Sequence, residues 1–211
     1  EFSAIDDLFT EGNLFSRGKT LFSSGDIFTS LYAIRSGSVK TYRVGSDGGE
    51  YVTGFYLPGE IVGLDAFYNK IHPNYAITLE TSSICKLPYE KIEDLAKIVP
   101  DVTTHMLEIM SQEIILGERI LMTIRSQPAK LRIICLLLSF SDRLSRRGYS
   151  STEFVLSMSR ADMASYLGLA VETVSRLLKK LQEQNLVEVN HRQIKLLKLD
   201  YLKALVEKEV A

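Results

Sequence analysis

The sequence predicts an α+β chain in three parts: a β-rich domain over residues 1–100, a long helix over 101–126, and a winged helix-turn-helix over 127–211. Three observations point to it. Short apolar stretches separated by glycine turns fill residues 18–87. The apolar spacing then changes to that of helix. Near the C-terminus Gly168 divides two helical patterns at the spacing of a helix-turn-helix.

In chain order, Leu31-Tyr32-Ala33-Ile34-Arg35 leads to the turn Ser36-Gly37-Ser38, and Val39 to Val44 alternates after it. Ser46-Asp47-Gly48-Gly49 closes a hairpin with Glu50 to Leu57, Pro58-Gly59-Glu60 turns again, and Ala76 to Thr81 and Ile84 to Leu87 read as two more strands. Strands broken by turns roughly every 8–12 residues predict a sandwich or barrel. Pro88-Tyr89-Glu90-Lys91 opens a short helix, with proline tolerated in the first turn.

After Pro100 a helix is predicted over Asp101 to Arg125. Leu107, Met110, Ile114, Gly117, Leu121 and Ile124 follow one another at steps of 3 and 4, which is a heptad seam with one small residue inside it. Ile115, Leu116 and Ile120 widen the stripe beyond what a solvated helix carries. The stripe can pack on the chain's own β-domain or pair with a second copy. The 3.5-residue period favours the second, and different faces can serve both. Ser126-Gln127-Pro128 breaks the helix. Ala129 to Arg147 forms the next, with Leu131, Ile134, Cys135 and Leu138 inward, a basic end at Arg146-Arg147, and Gly148 as its stop.

Residues 159–183 carry the chemistry. Ser159 is a good N-cap and Asp162 stands three residues on, as in a capping box. A first helix runs Arg160 to Leu167, Gly168 supplies a positive φ, and a second runs from about Val171 to Gln184. Small Ala164 allows close approach of the helices, and Val174 locks the second onto the first. The second helix sets Val174, Leu177, Leu178 and Leu181 on one side and Glu172, Ser175, Arg176, Lys179 and Glu183 on the other. A polar helix face is ordinarily just solvated. This one mixes groups that suit base edges: Arg for guanine O6 and N7, Glu for cytosine N4, Ser for either role. Thr173 and Arg160 join the candidate DNA-binding residues. Leu186 to Val189 and Gln193 to Leu196 read as the wing, across Asn190-His191-Arg192, with Arg192 or Lys195 placed for phosphate.

Charge agrees. Residues 1–124 carry 10 basic and 17 acidic side chains, and residues 125–198 carry 13 and 6, so a basic block follows an acidic one. That suggests a polyanionic partner for the second half, against the plainer reading of a solvated basic surface. With 45% apolar and 24% charged residues the composition is that of an ordinary globular protein. No apolar run approaches the roughly 20 residues of a membrane span, so no membrane partner is expected. Glu1 to Glu11 holds four acidic residues and does not read as a leader; the chain opens on Glu1 rather than Met, which leaves a natural upstream segment open. Cys85 and Cys135 form no C-x-x-C pair, which argues against a zinc site or disulfide and for a reducing cytoplasm. No Ser/His/Asp arrangement, metal-ligand cluster or phosphate loop suggests an enzyme.

The stretches LYAIRSGSVK, GFYLPGEIVGLDAF, AITLETSSIC and YLGLAVETVSRLL resemble the CRP/FNR family of bacterial transcription regulators over nearly the whole chain, closest to the FNR branch. The resemblance implies a β-roll of the cyclic-nucleotide-binding jelly-roll type, a long dimerisation helix, and a winged helix-turn-helix reading double-stranded DNA as a homodimer. It assigns Glu172, Ser175 and Arg176 to a TTGAT-type half-site; Val171, where the CRP branch has Arg, argues against a CRP-type site. It implies contacts with RNA polymerase from the Thr53 to Ala66 loop and the strand near Thr81, and it places the dimer seam at Leu107, Met110, Ile114, Gly117, Leu121 and Ile124.

Relatives that bind cyclic AMP hold its phosphate with a G-E-x segment and an Arg-Ser/Thr pair. Gly63-Leu64-Asp65 and Asn74-Tyr75-Ala76 stand there, without the arginine, so cyclic AMP is not expected. In the FNR branch a 4Fe–4S cluster takes four cysteines, of which Cys85 matches one; one thiolate cannot hold it, and the other three require a segment upstream of Glu1. Without them Cys85 reads as a buried core cysteine. Cluster-dependent members keep an acid in the seam where this chain has Gly117, so dimerisation without a cluster is expected. His72, His105 and His191 are scattered; the resemblance allows haem ligation by His72, against its plainer reading as a solvated loop histidine. Three functions remain: a regulator tied to anaerobic or redox conditions, the same fold working without cofactor under its own abundance or an unknown ligand, and a protein-interaction module that reads no DNA.

Overall fold

The computed structural model describes residues 12–210; the reading of Glu1 to Glu11 lies outside the described residues. The chain divides into two compact units, one ending at Ile115 and the other beginning at Leu116.

The first unit holds two antiparallel four-stranded sheets. One orders β1 (Asn13–Phe15), β8 (Ser82–Pro88), β3 (Ser30–Ser36) and β6 (Ile61–Val62); the other orders β2 (Thr20–Phe22), β7 (Tyr75–Thr78), β4 (Val39–Val44) and β5 (Glu50–Tyr56). Strands distant in sequence pair, β3 with β8 and β4 with β7, which gives the roll. Alternation sends Phe22, Tyr32, Ile34, Val39, Val62, Ala76 and Ile84 into its core. Cys85 is buried opposite Ala33 on β3. β7 ends at Thr78, short of the expected Thr81, because the Leu79 amide donates to Ser38 O and the Ser82 hydroxyl donates to Glu80 O. β1, β2 and β6 are two or three residues long, too short for alternation to reveal, and exist through their long-range partners.

His72 corrects the reading of a solvated loop histidine. Gly25 N donates to His72 O and His72 N to Asp26 O, and this pairing turns the ring inward. It is 2% exposed and stacks on Phe22 at 3.7 Å, with Phe28 at its edge. Its Nδ1 meets no hydrogen-bond partner among the described residues. Burial lowers its pKa from the usual histidine value, against the opposing pull of Asp65 and Asp26. Because the folded pKa lies below the unfolded one, the contribution of His72 is intact above the ordinary value and lost as pH falls through it toward the folded value. The thermal midpoint is expected to decline from pH 7 to pH 5, and less steeply in His72→Phe; identical slopes would refute the assignment.

Helix α1 (Tyr89–Ile98) leads to α2 (Pro100–Ser126), whose Pro100 sits where a missing N–H is harmless. Met106 of α2 packs on Phe28, Leu31 and Ala66. The division between units falls inside α2 rather than at Ser126-Gln127-Pro128, since the first half of the helix packs on the roll.

The second unit comprises α3 (Ala129–Ser145), β9 (Glu153–Val155), α4 (Arg160–Leu167), α5 (Val171–Glu183), β10 (Val187–Asn190), β11 (Gln193–Leu196) and α6 (Leu199–Val210), with its sheet ordered β10-β11-β9. On α3, Leu131 and Ile134 are buried as expected. Cys135 and Leu138 are only half-buried, while Ile133, Leu137 and Phe140 fill the core, so the inward face is rotated from the one read off the sequence.

Candidate nucleic-acid interface

The helix-turn-helix is built as its residues dictate. Ser159 caps α4: Asp162 N donates to Ser159 Oγ at 3.0 Å, and Ser159 N donates to Asp162 Oδ2 at 2.8 Å. Ser159→Ala removes one half of this box and is expected to lower the stability of this unit by about 1 kcal/mol, read as a drop in thermal midpoint. Gly168 takes φ 62°, ψ 44°, and Leu169 N donates to Ala164 O at 2.9 Å, so the chain reverses within one residue. Ala164 and Val174 are buried at the crossing, with Leu178 and Leu181 further along α5.

Those contacts fix the rotation of α5 and leave one edge outward. Glu172, Ser175, Arg176 and Lys179 are exposed, and Thr173 is half-buried. Lys179 Nζ stands 4.0 Å from Glu183 one turn on, an exposed pair of little energetic weight. Arg160 does not join this edge freely. It is half-buried with a guanidinium nitrogen 3.4 Å from Met163 Sδ, and burial lowers its pKa. The N-cap of α5 is Ala170, which offers no side-chain hydrogen bond, so the first amides of α5 have no side-chain cap of the usual kind. Sequence reasoning passed over this; its signal is an alanine where Ser, Thr, Asp or Asn is favoured. The wing turns tightly, Asn190 opposite Gln193, with His191 at φ 53° and Arg192 and Lys195 exposed.

Along α2, Leu107, Ile114 and Leu121 are 62%, 63% and 49% exposed, an apolar row at seven-residue intervals. Gly117 lies one turn along from Ile114 in the same seam, and a Cβ there would meet nothing within 4 Å. Met110 and Ile124 are half-buried. Among the described residues no group of three or more His, Cys, Asp or Glu is placed to hold a metal. Cys85 is buried in the first unit and Cys135 half-buried in the second, where burial raises its pKa against a hydrogen bond with Thr123. Among the described residues no helix is long and apolar enough to cross a membrane.

A winged helix-turn-helix with an outward edge of Glu, Ser and Arg, carried on the same chain as a β-roll, defines a DNA-binding transcription regulator rather than an enzyme. Residues 13–99 match the cyclic nucleotide-binding domain, and residues 131–205 the Crp-like helix-turn-helix domain. The chain is 38% identical over 197 residues to the transcriptional activator protein FnrA of Stutzerimonas stutzeri, covering 93% of this chain and 81% of that one. It is 38% identical over 194 residues to the fumarate and nitrate reduction regulatory protein of Escherichia coli, covering 92% and 78%. The structure of FixK2 from Bradyrhizobium japonicum superposes with a TM-score of 0.82 at 26% identity, covering 93% and 96%. The chain belongs to the CRP/FNR family of transcription regulators.

Proposed function

We propose that the chain binds as a homodimer to an inverted repeat of TTGAT-type half-sites and activates transcription through contacts with RNA polymerase. The outward edge of α5 carries this reading: Glu172, Ser175 and Arg176, three groups able to read base edges, lie within about one helical turn of one another, with the opposite face buried. Thr53 and Thr81 are exposed on the roll, as a polymerase contact requires. Gel shift with a TTGAT-N4-ATCAA duplex tests it. Nanomolar binding abolished by scrambling the half-sites is expected; equal affinity for the scrambled duplex rejects it.

The names of the relatives, with their reference to fumarate and nitrate reduction, support a place in anaerobic or redox control. A 4Fe–4S cluster does not fit the residues at hand. The sequence has two cysteines, and Cys85 lies in a unit that holds no second thiol. Gly117 puts no charge in the seam to oppose pairing, so these residues are expected to dimerise without a cluster; a monomer at micromolar concentration in sedimentation of cluster-free protein would count against this. The roll is also not a cyclic AMP receptor. Asn74 Nδ2 donates to the Asp65 carboxylate and Arg43 Nε donates to Asn74 Oδ1 at 3.1 Å, so a carboxylate held by its neighbours occupies the segment that would face a phosphate. Millimolar cyclic AMP is expected to leave the thermal midpoint unmoved; a rise of several degrees would refute this.

A further inference from the structure

α2 ends at Ser126, and Gln127 leaves its carbonyl just past the last turn; α4 ends at Leu167, whose carbonyl likewise faces out of its helix. Both are negative helix ends, and one cation serves both. Arg132, half-buried on α3, donates from Nε to Gln127 O at 2.8 Å and from Nη1 to Leu167 O at 3.2 Å. Gly168 lies under the same group: a Cβ there would stand 3.8 Å from Arg132 Nη1 and 3.8 Å from Ile124 Cγ2. The end of the long helix and the turn of the helix-turn-helix are thus joined through one planar fork. An ammonium, a point charge on a flexible stem, cannot reproduce that span.

We propose that Arg132 is a positioning residue that sets the separation of the two half-sites the protein accepts. The proposal rests on the homodimer reading above. If α2 carries the dimer axis, the recognition helix reaches the groove at a place fixed by the joint between α2 and α4, and Arg132 closes that joint. It touches no DNA itself. One base pair more or less between half-sites moves the second by about 3.4 Å and turns it by roughly 35°. A rigid joint refuses that shift, and a loose one accommodates it.

The test uses the full chain and duplexes with three, four and five base pairs between TTGAT half-sites, together with a duplex carrying one half-site. Wild type is expected to prefer one spacing at least about tenfold. Arg132→Met is expected to reduce that preference to about threefold or less while single half-site binding stays within about twofold, and Arg132→Lys to fall between. Equal loss on every duplex, the single half-site included, would mean a merely structural role and overturn the proposal. So would an unchanged preference in a folded Arg132→Lys, which decides the matter alone if Arg132→Met does not fold. Should wild type show no spacing preference at all, the homodimer reading fails. The clamp is then judged without DNA by amide exchange over residues 164–170. Faster exchange there in Arg132→Met, with residues 186–196 unchanged, supports the clamp, and no change rejects it.

Discussion

Replacing Arg176 by Ala is expected to weaken binding to the TTGAT inverted repeat by about 1–3 kcal/mol per half-site and to relax selection at the guanine position alone. The side chain is exposed on α5 while Val174 and Leu178 on the far side are buried, so truncation leaves the fold in place. A guanidinium meets guanine O6 and N7 with two parallel bonds from a rigid planar fork. Lysine keeps the charge and can reach both acceptors but lacks the planar fork, so Arg176→Lys is expected to fall between Ala and wild type on the cognate duplex. The competing role for an exposed arginine in a basic unit is a phosphate contact. Salt and sequence separate the two. A phosphate contact is lost equally on cognate and random duplexes and lowers the salt slope by about one unit. A base contact is lost on the cognate duplex and spares the random one. Glu172 adds a sign check: a carboxylate among phosphates is repelled unless a base amino group meets it, so Glu172→Ala should weaken cognate binding and strengthen random binding. Titrations of wild type, Arg176→Ala and Glu172→Ala against both duplexes, each at two salt concentrations, decide between them.

The helix-turn-helix was legible because each of its demands falls on a residue type with few substitutes. Ser159 and Asp162 make the cap, Gly168 the left-handed turn, and Ala164 and Val174 the close crossing; the structure supplies each at the predicted place. The hairpin of β4 and β5 was equally plain, since Gly48 sits at φ 77° between two alternating runs. What local pattern could not show depends on residues far away in the chain. β1 exists only through β8, some 70 residues on, and the inward turn of His72 follows from backbone bonds to Gly25 and Asp26. Arg160 is a candidate DNA contact at the start of α4, and its tether to Met163 is a matter of rotamer that no sequence pattern shows. Arg132 resembles any solvated cation on a helix until its two carbonyl partners are seen, one 5 residues away and the other 35.

The largest effect is expected from a charge in the seam of α2. Ile114→Glu should turn a micromolar solution of the protein from dimer to monomer in sedimentation while the monomer keeps its fold, read as an unchanged far-ultraviolet circular dichroism spectrum. The two halves of that expectation come from one observation: Ile114 is 63% exposed within its own chain, so the chain's fold loses little when the side chain becomes polar. A large apolar residue that exposed, in a row with Leu107 and Leu121, is what a second copy would cover. In the dimer two carboxylates would then face each other across the axis with no cation beside them. An unpaired charge at such a buried contact costs roughly 3–5 kcal/mol, about two to four orders of magnitude in dimer affinity. Binding to the inverted repeat should fall by a factor of at least about 100, because the second half-site is no longer presented at high effective concentration. Single half-site binding, which needs one recognition helix, should survive. The alternative is that this row packs on the chain's own roll in solution. In that case the mass in sedimentation does not change on Ile114→Glu, and the substitution disturbs the chain's own fold instead. Gly117→Ala sharpens the choice. In a solvated helix, alanine in place of glycine stabilises by up to about 1 kcal/mol and does nothing else. In a close-packed seam its methyl group meets the partner's helix, so a change in dimer affinity shows that Gly117 lies at a contact between two copies.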